Sequence, residues 1–338
     1  MNKKIIIGIV VLVICLTIFW IYRDKNNEMV KKTELIPVSI ELKWLHQAQF
    51  AGNYVAKERD LYQKEGLDVT LVPFSFENPV IKAVTDKKVM FGITGADELL
   101  LARASGAPLK AIAVIYKINP VCAYTLKTSG IIKPQDFIGK TVGIERASDG
   151  TDVNIGILYS AMISKLGIDR SKIKEVTIGY DPTELLNGET DVSTGYIINE
   201  PNQAIMKGYE VNTILMADYG VNMYADVIFT HEDTIRGKPE IVEKVLRATL
   251  AGWQYTIENN DEAVRDVIKY SNGEYAHESY MLKTSIPLIH VGDTPIGWME
   301  KAKWEQVQNI LLEQKILKKQ INIEDVYTMN PLKKIYDK

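Results

Sequence analysis

Trp44, His46 and Gln47 lie at the end of a predicted strand, and side chains of these types can bind a flat polar molecule. An indole ring stacked on an aromatic ligand contributes about 0.5 to 1.5 kcal/mol beyond its burial. The imidazole and the amide can hydrogen-bond to the edge of a heterocycle. The alternative for Trp44 is a place in the core, and a lone histidine is more often structural. Position favours ligand binding, because α/β sheets bind small ligands beyond the carboxyl ends of their strands.

Two predicted loops, each joining a strand to a helix, are further candidates. The free N–H groups and the dipole of a helix N-terminus can hold a polar or anionic part of a ligand. The residues are Gly95, Ala96, Asp97 and Glu98 in the first loop and Ser148, Asp149 and Thr151 in the second. The alternative is that Asp97, Ser148 and Thr151 are ordinary helix N-caps. Two such loops on opposite walls favour binding more than either loop alone.

The segments that must position these residues alternate between strand and helix. Predicted strands cover residues 37–44, 67–74, 89–94, 109–116, 121–127, 140–145, 173–179, 191–197, 211–216 and 224–230. Residues 237–315 show helical periodicity alone, so they should wrap back onto the first sheet. The pattern predicts an α/β fold of two lobes, each a mainly parallel sheet flanked by helices.

The chain should cross between the lobes twice, near residues 127–132 and 219–226. The first lobe would consist of residues 37–128 and 225–338, and the second of residues 129–224. Four residues near the expected crossings could contact a ligand or belong only to the hinge. They are Tyr116 and Asn119, after strand 109–116, and Tyr224 and Asp226, at the second crossing.

Residues 5–22 form an uncharged run long enough to span a bilayer. Trp20 and Tyr22 at its end suit the headgroup region. Because no Ala-x-Ala site follows, a retained anchor of residues 1–23 with a tether of residues 24–36 is favoured. Cleavage of the segment and acylation of Cys15 are the alternatives.

Composition excludes several classes of protein. The chain has 338 residues and a net charge of −3, and beyond residue 32 acidic residues outnumber basic ones by 41 to 34. A nucleic-acid binder would show the opposite balance. Cys15 and Cys122 are the two cysteines, and the four histidines contain no i, i+4 pair. We therefore expect no disulfide framework, no metal site and no cofactor.

Several segments together carry a resemblance to a known family. They are residues 44–68, 92–100 (GITGADELL), 137–143 (FIGKTVG), 186–192 (LNGETDV) and 198–201 (INEP). In this order they resemble bacterial solute-binding proteins related to the thiamine-pyrimidine and alkanesulfonate binders of ABC importers, and the likeness extends from about residue 38 to residue 327.

The resemblance implies a monomeric, two-lobed, type II periplasmic-binding fold outside the cytoplasm, tethered to the membrane and without catalytic activity. The implied partners are an ABC permease with its ATPase, and a small heteroaromatic ligand such as a thiamine pyrimidine precursor. It also implies that Tyr196, Asn199 and Glu200 line the cleft. Glu200 could accept hydrogen bonds from an aminopyrimidine, or could be only the acid at a helix start.

The same fold family includes enzymes that make the thiamine pyrimidine from pyridoxal phosphate and their own histidine, with iron. Those enzymes resemble one another in a Lys-x-x-x-His after the third strand and in a cysteine-rich run. Here Thr94 and Glu98 occupy the corresponding positions, and no cysteine follows Cys122. A ligand-sensing ectodomain that signals to a partner is the other alternative to an importer component.

Overall fold

The computed structural model describes Thr17 and residues 34–337, except for Phe76 and residues 147–153. The chain divides into a unit of Met1–Ile36 and a unit of Pro37–Lys338, and the second contains the sheets and helices discussed below. Among the described residues, no helix has the length and apolar character needed to cross a bilayer. The predicted span of residues 5–22 lies outside them apart from Thr17, so the membrane anchor stays a prediction.

Two five-stranded sheets form the centre of the described structure. The strands are β1 (Ile36–Glu41), β2 (Leu67–Val72), β3 (Phe91–Thr94), β4 (Leu109–Tyr116), β5 (Val121–Leu126), β6 (Thr141–Glu145), β7 (Lys174–Ile178), β8 (Val192–Tyr196), β9 (Val211–Leu215) and β10 (Ala225–His231). The first sheet has the order β2-β1-β3-β10-β4, and the second has the order β7-β6-β8-β5-β9. β10 and β5 run antiparallel to their neighbours, whereas β1 pairs with β3, and β6 with β7 and β8, in parallel. The predicted α/β fold of two mainly parallel sheets is confirmed.

Helices pack against the sheets. They are α1 (Ala51–Glu58), α2 (Leu61–Lys64), α3 (Val80–Thr85), α4 (Ala96–Ala104), α5 (Asn154–Lys165), α6 (Thr183–Leu186), α7 (Glu200–Met206), α8 (Glu232–Gly237), α9 (Pro239–Glu258), α10 (Asn260–Ile268), α11 (Tyr275–Ile289), α12 (Lys301–Glu313) and α13 (Asn330–Tyr336). α1 and α2 are separated at Asp60, whose φ of 56° is left-handed and interrupts the helix. Sequence periodicity did not indicate α13.

β5 belongs to the second sheet, so the first crossing lies at residues 117–120 and the expected crossing near residues 127–132 is wrong. The apolar sequence of β5 predicts a strand but not its partners, which are β8 and β9. The second crossing lies between Leu215 and Ala225, in agreement with the expected residues 219–226. The assignment of whole segments to two lobes stays a prediction.

The two crossing segments are hydrogen-bonded to each other through Asn222. Its Oδ1 accepts from the backbone N–H of Asn119 over 2.8 Å, and its Nδ2 donates to the backbone carbonyl of Lys117 over 3.0 Å. Asn222 of the second crossing thus satisfies two backbone groups of the first crossing, which has no sheet partner there.

The C-terminal third covers the edge of the first sheet. The backbone N–H groups of Ala111 and Val114 in β4 donate to the carbonyls of Val326 and Gly297 over 2.9 and 3.0 Å. These bonds protect an edge strand that would otherwise be open to pairing. They confirm the prediction that the helical C-terminal part returns to the first sheet.

Helices α1 and α9 approach so closely that glycine is required at their contact. A Cβ added at Gly252 of α9 would lie 2.1 Å from the backbone carbonyl of Gly52 in α1. A Cβ at Gly52 would lie 2.3 Å from the ring of Trp253. This contact fixes the helix that follows the Trp44 loop.

We expect Gly252→Ala to lower the free energy of unfolding by about 3 kcal/mol, because backbone atoms cannot move aside as a flexible side chain can. Urea unfolding would measure the change. Gly237→Ala, in α8, is the matched control, since nothing lies within 4 Å of its added Cβ. Equal stabilities of the two variants would contradict the close approach.

Candidate functional site

A cavity of about 690 Å³ opens at the carboxyl ends of strands from both sheets. This volume is typical of a site for a small molecule. The first sheet contributes residues at the ends of β1, β2 and β3, and the second contributes residues at the ends of β6, β7 and β8. The lining residues are Lys43, Trp44, Gln47, Gln49, Phe74, Pro79, Val80, Ile81, Gly95, Glu98, Glu145, Arg146, Asn154, Ile155, Tyr180, Tyr196, Asn199 and Glu200.

Trp44 is the centre of an aromatic cluster in the cavity wall. Its ring stacks on Phe74 with centroids 5.7 Å apart and an interplanar angle of 27°, and it lies 5.2 Å from the ring of Tyr180. Phe74 follows β2 of the first sheet, whereas Tyr180 follows β7 of the second. Tyr180 is 46% exposed, so the cluster reaches the solvent. The cluster therefore offers a flat ligand aromatic rings from both sheets to stack on.

Lys43 is a buried ammonium that already has partners. Its Nζ donates to the Tyr196 hydroxyl over 3.1 Å and lies 3.5 Å from Oδ1 of Asp226. Gln49 Nε2 donates to both carboxylate oxygens of Asp226 over 2.9 and 3.0 Å. Burial tends to lower the pKa of Lys43, but the charges of Tyr196, Asp226 and Glu98 raise it above its ordinary value. Lys43 therefore holds its proton at neutral pH.

Asn154 of α5 makes a second connection between the two sheets. Its Nδ2 donates to Oδ1 of Asp97 over 3.0 Å, and its Oδ1 accepts from the Tyr196 hydroxyl over 3.3 Å. Burial, and then repulsion from Glu98, raises the pKa of Asp97 to about 6. The two sheets are thus joined by side chains beside the cavity.

The carboxyl group of Glu200 is held in place by the backbone around it. The N–H of Tyr196 donates to its Oε2 over 2.6 Å, and the side-chain amide of Asn199 donates to its Oε1. A Cβ at Gly195 would lie 2.7 Å from Oε2, so glycine leaves the room that the carboxyl occupies. Burial raises the pKa of Glu200 to about 7.

Glu145, the last residue of β6, places a second carboxyl group in the same wall. Its side chain is 5% exposed, and its backbone N–H donates to Thr194 Oγ1 over 3.3 Å. Burial, and then the charges of Glu200 and Glu184, raises the pKa of Glu145 well above its ordinary value. The second sheet therefore contributes acidic groups that favour the protonated state.

Seven of the residues expected to bind a ligand lie in the cavity wall. They are Trp44, Gln47, Gly95, Glu98, Tyr196, Asn199 and Glu200. Their place in the wall is a finding, and their contact with a ligand stays a prediction. Ser148, Asp149 and Thr151 lie outside the described residues.

Three other expected ligand contacts are not among the lining residues and have hydrogen-bond partners within the protein. His46 Nδ1 is 2.9 Å from the Tyr54 hydroxyl. Tyr116 is buried and donates to Ser285 over 2.8 Å. Tyr224 accepts from the backbone N–H of Glu300 over 3.1 Å.

Four more of the expected contacts are not among the lining residues either. Ala96 is buried in the core, and Asn119 accepts from the N–H of Val121 at the first crossing. Asp97 and Asp226 act from behind the wall, through Asn154 and Lys43 respectively.

Sequence reasoning missed much of the wall. The residues it missed are Lys43, Gln49, Phe74, Pro79, Val80, Ile81, Glu145, Arg146, Asn154, Ile155 and Tyr180. A signal existed for Phe74, Glu145 and Tyr180, because each stands at the end of a predicted strand, as Trp44 does.

No group of three or more metal-binding side chains is placed to hold an ion within the described part of the chain. Arg146, the second basic group in the wall, donates to Glu175 over 2.9 Å. Within the same part of the chain, both cations of the wall therefore have a carboxylate partner.

Comparison with known proteins gives a family and a fold. The family described as NMT1/THI5 like matches residues 47–263. The riboflavin-binding protein RibY of Chloroflexus aurantiacus is 26% identical over 86% of this chain and 84% of its own length. A formylaminopyrimidine-binding protein of Halalkalibacterium halodurans is 24% identical over 93% of this chain and 96% of its own.

An enzyme is also among the similar proteins. A 4-amino-5-hydroxymethyl-2-methylpyrimidine phosphate synthase of Legionella pneumophila is 26% identical over 67% of this chain and 71% of its own length. Among solved structures, the periplasmic aliphatic sulphonate binding protein SsuA from Escherichia coli superposes with a TM-score of 0.69 at 16% identity, over 86% of this chain and 91% of its own. This likeness shows the two-sheet fold of periplasmic binding proteins.

Proposed function

This chain belongs to the NMT1/THI5-like family, and from that premise we propose that it is the extracytoplasmic solute-binding protein of an ABC importer. Its ligand is a small, flat nitrogen heterocycle, such as a thiamine pyrimidine precursor or a flavin-type ring. The observation that carries the proposal is a single cavity wall that combines a stacked aromatic cluster with buried carboxyl groups. Relatives named for riboflavin and formylaminopyrimidine support it.

The charges of the wall disfavour an anionic ligand such as a sulfonate. Lys43 is paired with Asp226 and Arg146 with Glu175, so neither cation is left to neutralise an anion. Glu98, Glu145 and Glu200 add carboxyl groups, which bring no positive charge in either protonation state. Burying an anion against carboxyl groups without a matching cation is costly. A neutral or cationic heterocycle avoids that cost.

Catalysis through pyridoxal phosphate does not fit this wall. A Schiff base needs a lysine that can lose its proton, and Lys43 is the lysine that the described wall offers. Its partners keep it protonated. Thr94 and Glu98 occupy the positions of the lysine and the histidine that the synthases resemble one another in having. Here the Thr94 hydroxyl donates a hydrogen bond to the Glu98 carboxyl group. These features favour binding without turnover.

We propose that the ligand is captured by closure of the two sheets around it, and that the closed form docks on a permease with its ATPase. The protein acts as a monomer, tethered to the membrane through residues 5–22. The Lys43–Tyr196 and Asn154–Asp97 bonds are the side-chain contacts that closure would make or strengthen.

A thermal-shift comparison tests the function on the full chain. At a concentration a hundred times the Kd, ligand binding adds about 2.7 kcal/mol of stability, which raises Tm by roughly 5 °C. We expect this shift with riboflavin or formylaminopyrimidine and none with an alkanesulfonate, and we expect small-angle scattering to report a more compact particle with ligand. A shift with the sulfonate alone, or chemical change of the bound compound, would reject the proposal.

A further inference from the structure

Glu145 and Glu200 both line the cavity: Glu145 is the last residue of β6, and Glu200, the first residue of α7, follows the neighbouring parallel strand β8. β6 pairs with β8 through Val142 and Val192, and the Glu145 N–H reaches the side chain of Thr194. The Glu200 carboxyl lies over the next residue, Gly195. The two side chains are 5% and 6% exposed.

The two carboxyl groups differ in how they are satisfied. Both oxygens of Glu200 accept hydrogen bonds from the protein, as described above. Oε1 of Glu145 is buried and has no hydrogen-bond partner among the described residues. Leaving a buried polar atom unpaired lowers stability, so a side chain of the cavity wall that keeps one points to a missing partner.

Among the described residues, the groups that interact electrostatically with Glu145 include no cation that could be that partner. Glu200, Glu184, Cys122 and Tyr124 are the titratable groups that interact with it, and none carries a positive charge. The guanidinium of the adjacent Arg146 is engaged by Glu175. The Glu145 and Glu200 carboxyl groups are buried and repel each other electrostatically, which favours protonation of at least one of them. A protonated carboxyl offers an O–H donor beside a C=O acceptor.

We propose that Glu145 is a ligand-binding residue, and that its carboxyl group pairs with a heterocycle edge on which a hydrogen-bond donor and an acceptor are adjacent. This inference rests on the proposed function. Two chemical classes have such an edge: a cyclic amide, with N–H beside C=O, and an amino-substituted pyrimidine, with NH₂ beside a ring nitrogen. Both form two parallel hydrogen bonds with a protonated carboxyl. Glu200, whose oxygens are occupied, positions its neighbour and keeps its proton in place.

Three variants of the full chain test the pairing. Glu145→Gln keeps a donor beside an acceptor, and we expect its affinity to stay within about threefold of the wild type. Glu145→Leu removes both, and we expect binding to weaken by about tenfold to a hundredfold. Glu41→Leu is the matched control, because Glu41 is also a buried carboxyl group at the end of a strand, 2% exposed, but does not line the cavity. Its affinity should not change.

The probes are riboflavin, for the cyclic amide, and formylaminopyrimidine, for the amino-substituted ring, with affinities from calorimetry. Whichever probe loses affinity in Glu145→Leu identifies the class. A riboflavin analogue methylated at the amide nitrogen should bind the wild type about tenfold more weakly than riboflavin does. Glu145→Leu should bind the analogue and riboflavin with equal affinity. If Glu145→Leu fails to fold, Glu145→Ala, which removes the same donor and acceptor, takes its place.

Each outcome separates the subsite from the function. Unchanged affinity in Glu145→Leu, with wild-type binding intact, overturns the subsite and leaves the proposed function standing. Equal loss in Glu145→Gln and Glu145→Leu also overturns it, because the ligand would then need a carboxylate. If the wild type binds neither probe, the proposed function fails, and the subsite with it.

Discussion

Trp44→Ala is expected to weaken ligand binding by at least tenfold while Tm stays nearly unchanged. The indole supplies stacking of about 0.5 to 1.5 kcal/mol in addition to its buried area, and a loss of 1.4 kcal/mol is already tenfold. The melting temperature should hold because Trp44 is half-buried at the cavity, beside Phe74 and Tyr180, rather than in the core. Calorimetric titration and a thermal melt of the same sample would measure both quantities.

Trp298→Ala is the matched control for this variant. Trp298 is also half-buried and packs on an aromatic ring, that of Tyr336 at 6.5 Å, but it does not line the cavity. We expect its affinity to equal that of the wild type. Full affinity in Trp44→Ala would remove Trp44 from the site, and a parallel fall in Tm would make it a core residue after all.

Asp226→Asn is expected to lower the free energy of unfolding by about 2 to 4 kcal/mol, because it leaves the Lys43 ammonium buried without its counter-charge. The side chains of Lys43 and Asp226 are 14% and 2% exposed, so water cannot replace the lost carboxylate. Asparagine keeps the size of the side chain and tolerates the left-handed φ of 51° at this position. Denaturant unfolding would give the free energy directly.

A second substitution distinguishes lost charge from general damage. Lys43→Met in the Asp226→Asn background should recover most of the stability, since it removes the unpaired ammonium. The surface pair Lys82–Asp86 is the control, and Asp86→Asn should leave the unfolding midpoint where it was. A double variant as unstable as Asp226→Asn would mean that the buried pair is not the cause.

The sequence predicted the strands well and the partners of one strand badly. Runs rich in apolar and β-branched residues, bounded by turn residues, predicted all ten strands of the described structure, because this composition is local to each strand. Which sheet a strand joins depends on distant segments. β5 pairs with β8 and β9, and nothing within residues 121–126 distinguishes that outcome from pairing in the first sheet.

Residues of the candidate site at the end of a strand could be predicted from the sequence, whereas the burial of Lys43 could not. Trp44 follows β1, and the same rule applied to β2 and β7 leads to Phe74 and Tyr180. Lys43 could not be found in this way, because a lysine at a strand end is normally solvated. Its burial depends on Asp226, which folding brings from a distant part of the chain.

Asn222 joins the two connections between the sheets by hydrogen bonds to Asn119 and Lys117. None of these three residues is among those that line the cavity. In the proposed closure, the two connections would therefore move together. Substitutions at the strand ends could then change which ligand binds without altering the connections between the sheets. Ligand specificity can therefore vary among proteins that share this arrangement. Similar proteins named for ligands as different as riboflavin and formylaminopyrimidine agree with this expectation.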